Sequence, residues 1–173
     1  SEPAILWSTL VGGVGGGQFN GMRLDPEGRI LVTGSSLGFD LAATSDDSGA
    51  REQIPAGFAA EFDGSGRLEV LRYLGVLPVG IDGAPDGSWH VAANTAAGHA
   101  AWLSITPDLS GFAMMTPFGG DGRDQAMAIH VGRDGRVRIV GSTTSENLPV
   151  SPDALQERPG GGTDGFLAIA SLP

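Results

Sequence analysis

The chain has 173 residues, 40% of them hydrophobic and 17% charged, with 29 Gly, 11 Pro and no Cys. That is enough for one domain with a real core, and it excludes disulfides, a thiolate nucleophile and a Cys-based metal site. The formal net charge is −10 and every one of the ten basic residues is Arg, so phosphate backbones are repelled and lysine-dependent phosphate loops and Schiff bases are ruled out.

No apolar run approaches the roughly 20 residues needed to span a bilayer. The start at Ser1 reads as a processed or trimmed chain. In chain order, "AILWSTLVGG" (4–13) is an apolar strand ending in Gly. "FNGMRLD" (19–25) and "RILVTGSS" (29–36) flank the turn "PEG", and "GFAAEFD" (57–63) and "RLEVLRYLG" (67–75) flank "GSG". The pattern returns as "LPVGIDG" (77–83), "SWHVAANT" (88–95), "AAWLSIT" (100–106) and "SGFAMMTPFGG" (110–120). It returns again as "AMAIHVG" (126–132), "RVRIVGST" (136–143) and "DGFLAIASLP" (164–173). Short alternating runs separated by polar, Gly-containing turns are antiparallel hairpins.

The turn glycines Gly28, Gly87 and Gly135 put the repeats in register, 59 and then 48 residues apart. The spacing differs because the loop after the second strand is long in the first and third copies and short in the second. Each copy is a four-strand meander except the third, which lacks a fourth strand; the strand at 4–13 resembles the fourth strands of the other two and supplies the count of twelve. Four-stranded units at this period predict an all-β chain built as a β-propeller, with three blades at about 19–75, 76–118 and 119–173, the last completed by strand 4–13. Three blades cannot close a ring, so a second chain or further blades must close it. In a two-fold dimer "FLAIASL" of one chain would pair with "AILWSTL" of the other.

The repeated "G-R-(apolar)-x-(apolar)-x-G-S-(T/S)", with "NLPVSPDALQ", "GGGTDGFLAI" and "WSTLVGG", resembles the bacterial seven-bladed β-propeller repeat family. The third copy matches over 118–172, the first over 10–75 with a diverged loop, and the second, 76–120, keeps the strands without the loop motif. The resemblance implies secreted, periplasmic or cell-surface proteins of bacteria and carries no catalytic residues.

Several residues have chemistry to weigh. "GGDGRDQAM" (119–127) fits a calcium nonapeptide except at Ala126, which makes Asp121 and Asp124 the candidate metal ligands. One copy supplies too few oxygens for Ca²⁺, and the equivalent "GGVGGGQFN" (12–20) has no carboxylate. The alternative is a Gly-rich crossing between blades, with Asp121 and Asp124 solvated. "GGGTDG" (160–165) satisfies G-x-G-x-x-G but precedes a strand, so a dinucleotide site lacks its helix.

His90, His99 and His130 share no ligand spacing and are expected at strand surfaces or the rim. His130 aligns with Arg23 and Asp82, a polar set belonging either to ordinary strand amphipathy or to a central channel. Trp7, Trp89 and Trp102 fall in strands and are expected to pack between blades. The acidic loop "SDDSGARE" (45–52) is expected to be solvated.

The expected function is a non-enzymatic extracellular or periplasmic scaffold, without a cofactor, that presents inter-blade loops to a protein or glycan partner. One alternative is a structural subunit of a surface assembly that grips neighbours by terminal strand exchange. The other is a propeller enzyme of the lyase or quinone-dependent dehydrogenase type.

Overall fold

The computed structural model describes residues 4–12, 15–38 and 55–172. Most of the loop 36–57, including 45–52, lies outside the described residues. Eleven strands account for the regular structure: β1 (Gly17–Leu24), β2 (Ile30–Ser36), β3 (Ala56–Phe62), β4 (Leu68–Tyr73), β5 (Leu77–Gly83), β6 (Trp89–Asn94), β7 (Ala100–Ile105), β8 (Phe112–Phe118), β9 (Asp124–Val131), β10 (Arg136–Thr143) and β11 (Asp164–Ser171). No helix occurs among the described residues, and none is long and apolar enough to cross a membrane.

The strands form three antiparallel meanders, ordered β1-β2-β3-β4, β5-β6-β7-β8 and β9-β10-β11. The turns that begin each meander close as the sequence predicts. Gly28, Gly87 and Gly135 have φ of 83°, 86° and 68°, and their N–H groups donate to Asp25, Ala84 and Gly132 carbonyls at 3.0–3.1 Å. A side chain in this left-handed region is strained, so Gly is the residue the turn requires.

The first strands of the three sheets share a device that periodicity alone does not reveal. Each has one extra residue relative to its partner, between Phe19 and Gly21, between Pro78 and Gly80, and opposite Val140/Gly141. The extra residues, Asn20, Val79 and Met127, all lie eight before the turn glycine. Bulges increase local twist and bend the strand, here at the same position in every repeat.

The three sheets stack side by side, and β1 contacts β5 as β5 contacts β9. Leu31 and Ala59 of the first sheet pack with Ile81, Trp89, Val91 and Leu103 of the second. On its other face the second sheet packs Ala92, Ala100 and Trp102 against Ile129, Val131, Val137 and Ile139 of the third. With both faces covered, β7 is buried along its full length. A third cluster, containing Val32, Phe58, Ala60 and Tyr73, lies on the far face of the first sheet with Val11 against it.

Two expectations need correction. Residues 4–12, read as a strand completing the third sheet, form no ladder within the chain. The physical reason is distance: Val11 and Trp7 lie against the first sheet, and the second sheet stands between them and β11. Trp7 accordingly is no inter-sheet core residue; its ring covers Gly66 in the β3–β4 turn and is 41% exposed.

Within the sheets a compensating pair recurs. Gly34 and Gly141, each six residues after a turn glycine, face Phe58 and Phe166 across the ladder. At the equivalent place in the second sheet Ala93 faces Ala101. The aromatic ring occupies the space the glycine leaves, and where the glycine is replaced by Ala the ring is replaced too.

Candidate functional site

The crossing from β8 to β9 is the most elaborately bonded loop among the described residues. Its backbone N–H groups are taken up one after another by the segment that follows β10. Asp121 N–H donates to Asn147 Oδ1 (2.7 Å), Gly122 N–H to Ser145 Oγ (2.9 Å) and Arg123 N–H to Thr144 Oγ1 (2.9 Å). Asp121 returns a bond by accepting the Glu146 N–H at 3.0 Å. Three glycines let the two segments approach this closely. A Cβ on Gly119 would meet the Asp124 carboxylate, one on Gly120 the Ser145 and Asn147 side chains, and one on Gly122 the backbone of Thr144 and Ser145.

Asp124 is the centre of this arrangement, with 0% of the residue exposed. Its Oδ1 accepts from the Thr143 and Ser145 hydroxyls, and its Oδ2 from the Gly120 N–H (2.8 Å) and the Ser145 hydroxyl. His99 Nδ1 stands 3.4 Å from Oδ2. Burial alone would push the carboxyl up, but the Thr143 hydroxyl, the Gly120 N–H and Ser145 together hold it below the ordinary carboxylate value. The segment "TTSEN" (143–147) is therefore part of the site, a role that no sequence pattern assigned to it. Its signal was a run of short polar side chains directly after a strand, the residue types that bond to nearby backbone.

The structure gives Asp121 and Asp124 different duties: Asp121 ties two loops and Asp124 anchors a buried hydroxyl cluster. No group of three or more His, Asp or Glu side chains converges among the described residues. A calcium ion at this crossing would have to displace donors that already occupy the carboxylate lone pairs. Chelation by EDTA is therefore expected to leave the melting temperature unchanged, and a fall of several degrees would restore the calcium assignment. The "GGGTDG" segment forms a turn in which Gly161 and Gly162 have φ of 93° and 81°, and Gly160 N–H donates to Asp164. It leads into β11, with no helix to receive a phosphate.

The aligned polar residues of the first strands do meet. Arg23 Nε lies 2.9 Å from Asp82 Oδ1, and His130 Nδ1 lies 2.9 Å from Asp82 Oδ2. Asp82 also accepts the N–H groups of Gly83 and Val131, at 3.0 Å each. Burial would raise its pKa, while Arg23 and these two N–H groups bring it below the usual value. One carboxylate thus links all three sheets along β1, β5 and β9. Two amides join the same sheets: Asn20 of β1 donates to the Pro78 carbonyl of β5, and Asn94 of β6 makes a two-way clamp with the backbone of Ala126 in β9.

His90 is not a surface residue. It is 1% exposed, packed between the second and third sheets with its ring 5.6 Å from that of Trp102. Trp102 Nε1–H donates to Nδ1 at 3.0 Å, and Nε2 faces Ser88 Oγ at 3.0 Å. The Ser88 hydroxyl in turn donates to Asp86 at 2.6 Å, which leaves the proton on Nε2 and makes Nδ1 an acceptor. This order, with Asp on Ser and an indole on His, cannot activate the hydroxyl as a nucleophile, because the base position is blocked by Trp102.

Burial pushes the His90 pKa below the ordinary histidine value of about 6.5. Protonation is favoured in the unfolded chain, so stability is full above about pH 6.5 and declines as pH falls below it, by at most ~1.4 kcal/mol per unit. Removing that slope with His90→Gln, measured as urea midpoints between pH 5 and 7, is the expected result; an unchanged slope would place the titration elsewhere. Trp89 and Trp102 are buried, as the strand positions predict.

No family model matches the chain, and no curated protein matches it. Among solved structures it is similar to a protein of unknown function from Bacteroides caccae, with 13% sequence identity and a TM-score of 0.48. The match covers 76% of this chain and 40% of that one, so this chain spans well under half of that protein's length.

Proposed function

We propose that the chain belongs to a β-propeller that works as a non-enzymatic scaffold outside the cytoplasm, extracellular, periplasmic or at a cell surface. Its crossings and long loops bind a protein or glycan partner. The propeller is completed by a second chain or by further blades. The observation carrying this reading is the seam of β1, β5 and β9. Three meanders in phase present their first strands side by side, each with the same bulge, joined by Arg23, Asp82 and His130. The polar groups able to do chemistry are engaged in holding sheets and loops together, which leaves variation to the loops between second and third strands.

The test is a screen of bacterial surface polysaccharides and peptides by thermal shift, followed by calorimetry. A ligand at 100 times its Kd should stabilise the chain by about 2.7 kcal/mol, and replacing 148–159 by a Gly/Ser linker should abolish the effect. Turnover of a substrate by the pure chain, lost in His130→Ala with the fold intact, would overturn the reading in favour of an enzyme.

A further inference from the structure

The third sheet has an open side of unusual character. β11 pairs with β10 through eight consecutive residues without a bulge, and among the described residues nothing pairs with its other edge. Exposed edges are normally blunted by charge, proline or a bulge. β4 has all but the proline, with a bulge at Glu69 and a charge at Arg72, and β8 has a bulge at Ala113 and Pro117. From Gly165 to Ser171 β11 has none of the three. Leu167 and Ile169 stand 64% and 55% exposed on its outer face. Along it runs a groove of about 690 Å³, bordered by Asp164–Ile169 on one side and by Leu148, Val150 and Leu155 of the following loop on the other.

The chain also carries a segment of matching character. Residues 4–12 contain no charge, and Leu6 and Leu10 are 93% and 99% exposed. They stand to the first sheet as β4 stands to the second. β4 leads directly into β5, and its Arg72 reaches the β7–β8 turn at the Ser110 carbonyl, 2.7 Å away. Residues 4–12 lead into β1, and Trp7 covers the equivalent β3–β4 turn at Gly66. The segment therefore occupies the place of a fourth strand belonging to a blade that packs on the far face of the first sheet. The strands of that blade cannot be this chain's own β9, β10 and β11, which lie beyond the second sheet.

We infer that residues 4–12 of a second copy fill the groove along β11 as its fourth strand. The exchange is reciprocal, so the outer face of each third sheet packs on the far face of the partner's first sheet. The same two surfaces are used twice, which gives a closed two-fold ring of six sheets and leaves no unguarded edge. Residues 4–12 carry no charge and β11 carries none after Asp164, so two chains of net charge −10 meet where both are nearly free of charge. The inference rests on the propeller reading but makes its own prediction about assembly.

The test uses the full chain. Native mass spectrometry should give twice 17.6 kDa. Hydrogen exchange should show residues 4–12 and 164–171 protected together, with protection that falls on dilution. Placing charge on the edge with Leu167→Lys and Ile169→Lys should reduce the mass to one chain while the β1–β2 and β5–β6 hairpins stay protected. A single-chain mass at 100 µM overturns the inference, as does a dimer that survives both lysines. A single-chain species that still binds a ligand without turnover would leave the scaffold reading standing, so the two failures are distinguishable.

Discussion

Replacing Asp124 by Ala is expected to destabilise the chain by about 3 kcal/mol or more, the largest effect of any polar substitution. The carboxylate is fully buried and receives the Thr143 and Ser145 hydroxyls and the Gly120 N–H. Without it these donors remain in a water-poor site, each unsatisfied group costing roughly 1–3 kcal/mol before relaxation. The Asn variant keeps one acceptor oxygen but turns an NH₂ toward donors, so it should recover only part of the loss. The measurement is the urea midpoint of each variant; equality with the parent would mean the hydroxyls find water instead.

A pH dependence follows from the same group. Its folded pKa lies below the ordinary aspartate value of about 3.9, so the unfolded chain binds the proton more readily. The stabilisation is complete above that value and is lost as pH falls through it toward the folded pKa. Acid unfolding should therefore be less steep in Asp124→Asn than in the parent.

The second large effect is expected at Gly141. A Cβ there would overlap the Gln125 carbonyl oxygen and lie 2.5 Å from Cζ of Phe166. Neither neighbour can yield without parting β10 from β9 or moving the ring, which also touches Phe118 at a centroid distance of 5.3 Å. Overpacking a central strand in this way costs about 3 kcal/mol. Gly111→Ala is the control: a Cβ there meets nothing within 4 Å, and its φ is not in the left-handed region. Thermal unfolding of both variants checks the pair. A Gly141→Ala chain that melts with the control would show that the third sheet is more compliant than its hydrogen bonding implies.

The His90 and Asp82 networks illustrate why sequence alone stops short of the site. In the sequence His90 is a polar residue in an alternating strand, which reads as solvent-facing. The central strands of the second sheet have no solvent face, because they are packed on both sides, and the ring is taken in with Trp102 and Ser88 as partners. Alternation tells which residues share a face but not what covers that face. Arg23, Asp82 and His130 could be aligned from the turn glycines; that they bond to one another required the bulged first strands to lie side by side.

What the sequence by itself determined is what depends on neighbours along the chain. Strand positions follow from alternation over a few residues, the turns from glycines that alone tolerate positive φ, and the repeat from the recurrence of both. All eleven strands begin and end within two residues of their expected bounds for this reason, whereas residues 4–12, expected within a twelfth, did not become a strand in this chain because pairing needs a partner within reach. The tertiary structure alone decided the buried hydroxyl cage around Asp124, the inward turn of His90, the exposed ring of Trp7 and the bare edge of β11. Each depends on which sheet lies opposite, and the contacts between sheets join residues tens of positions apart that no local pattern connects.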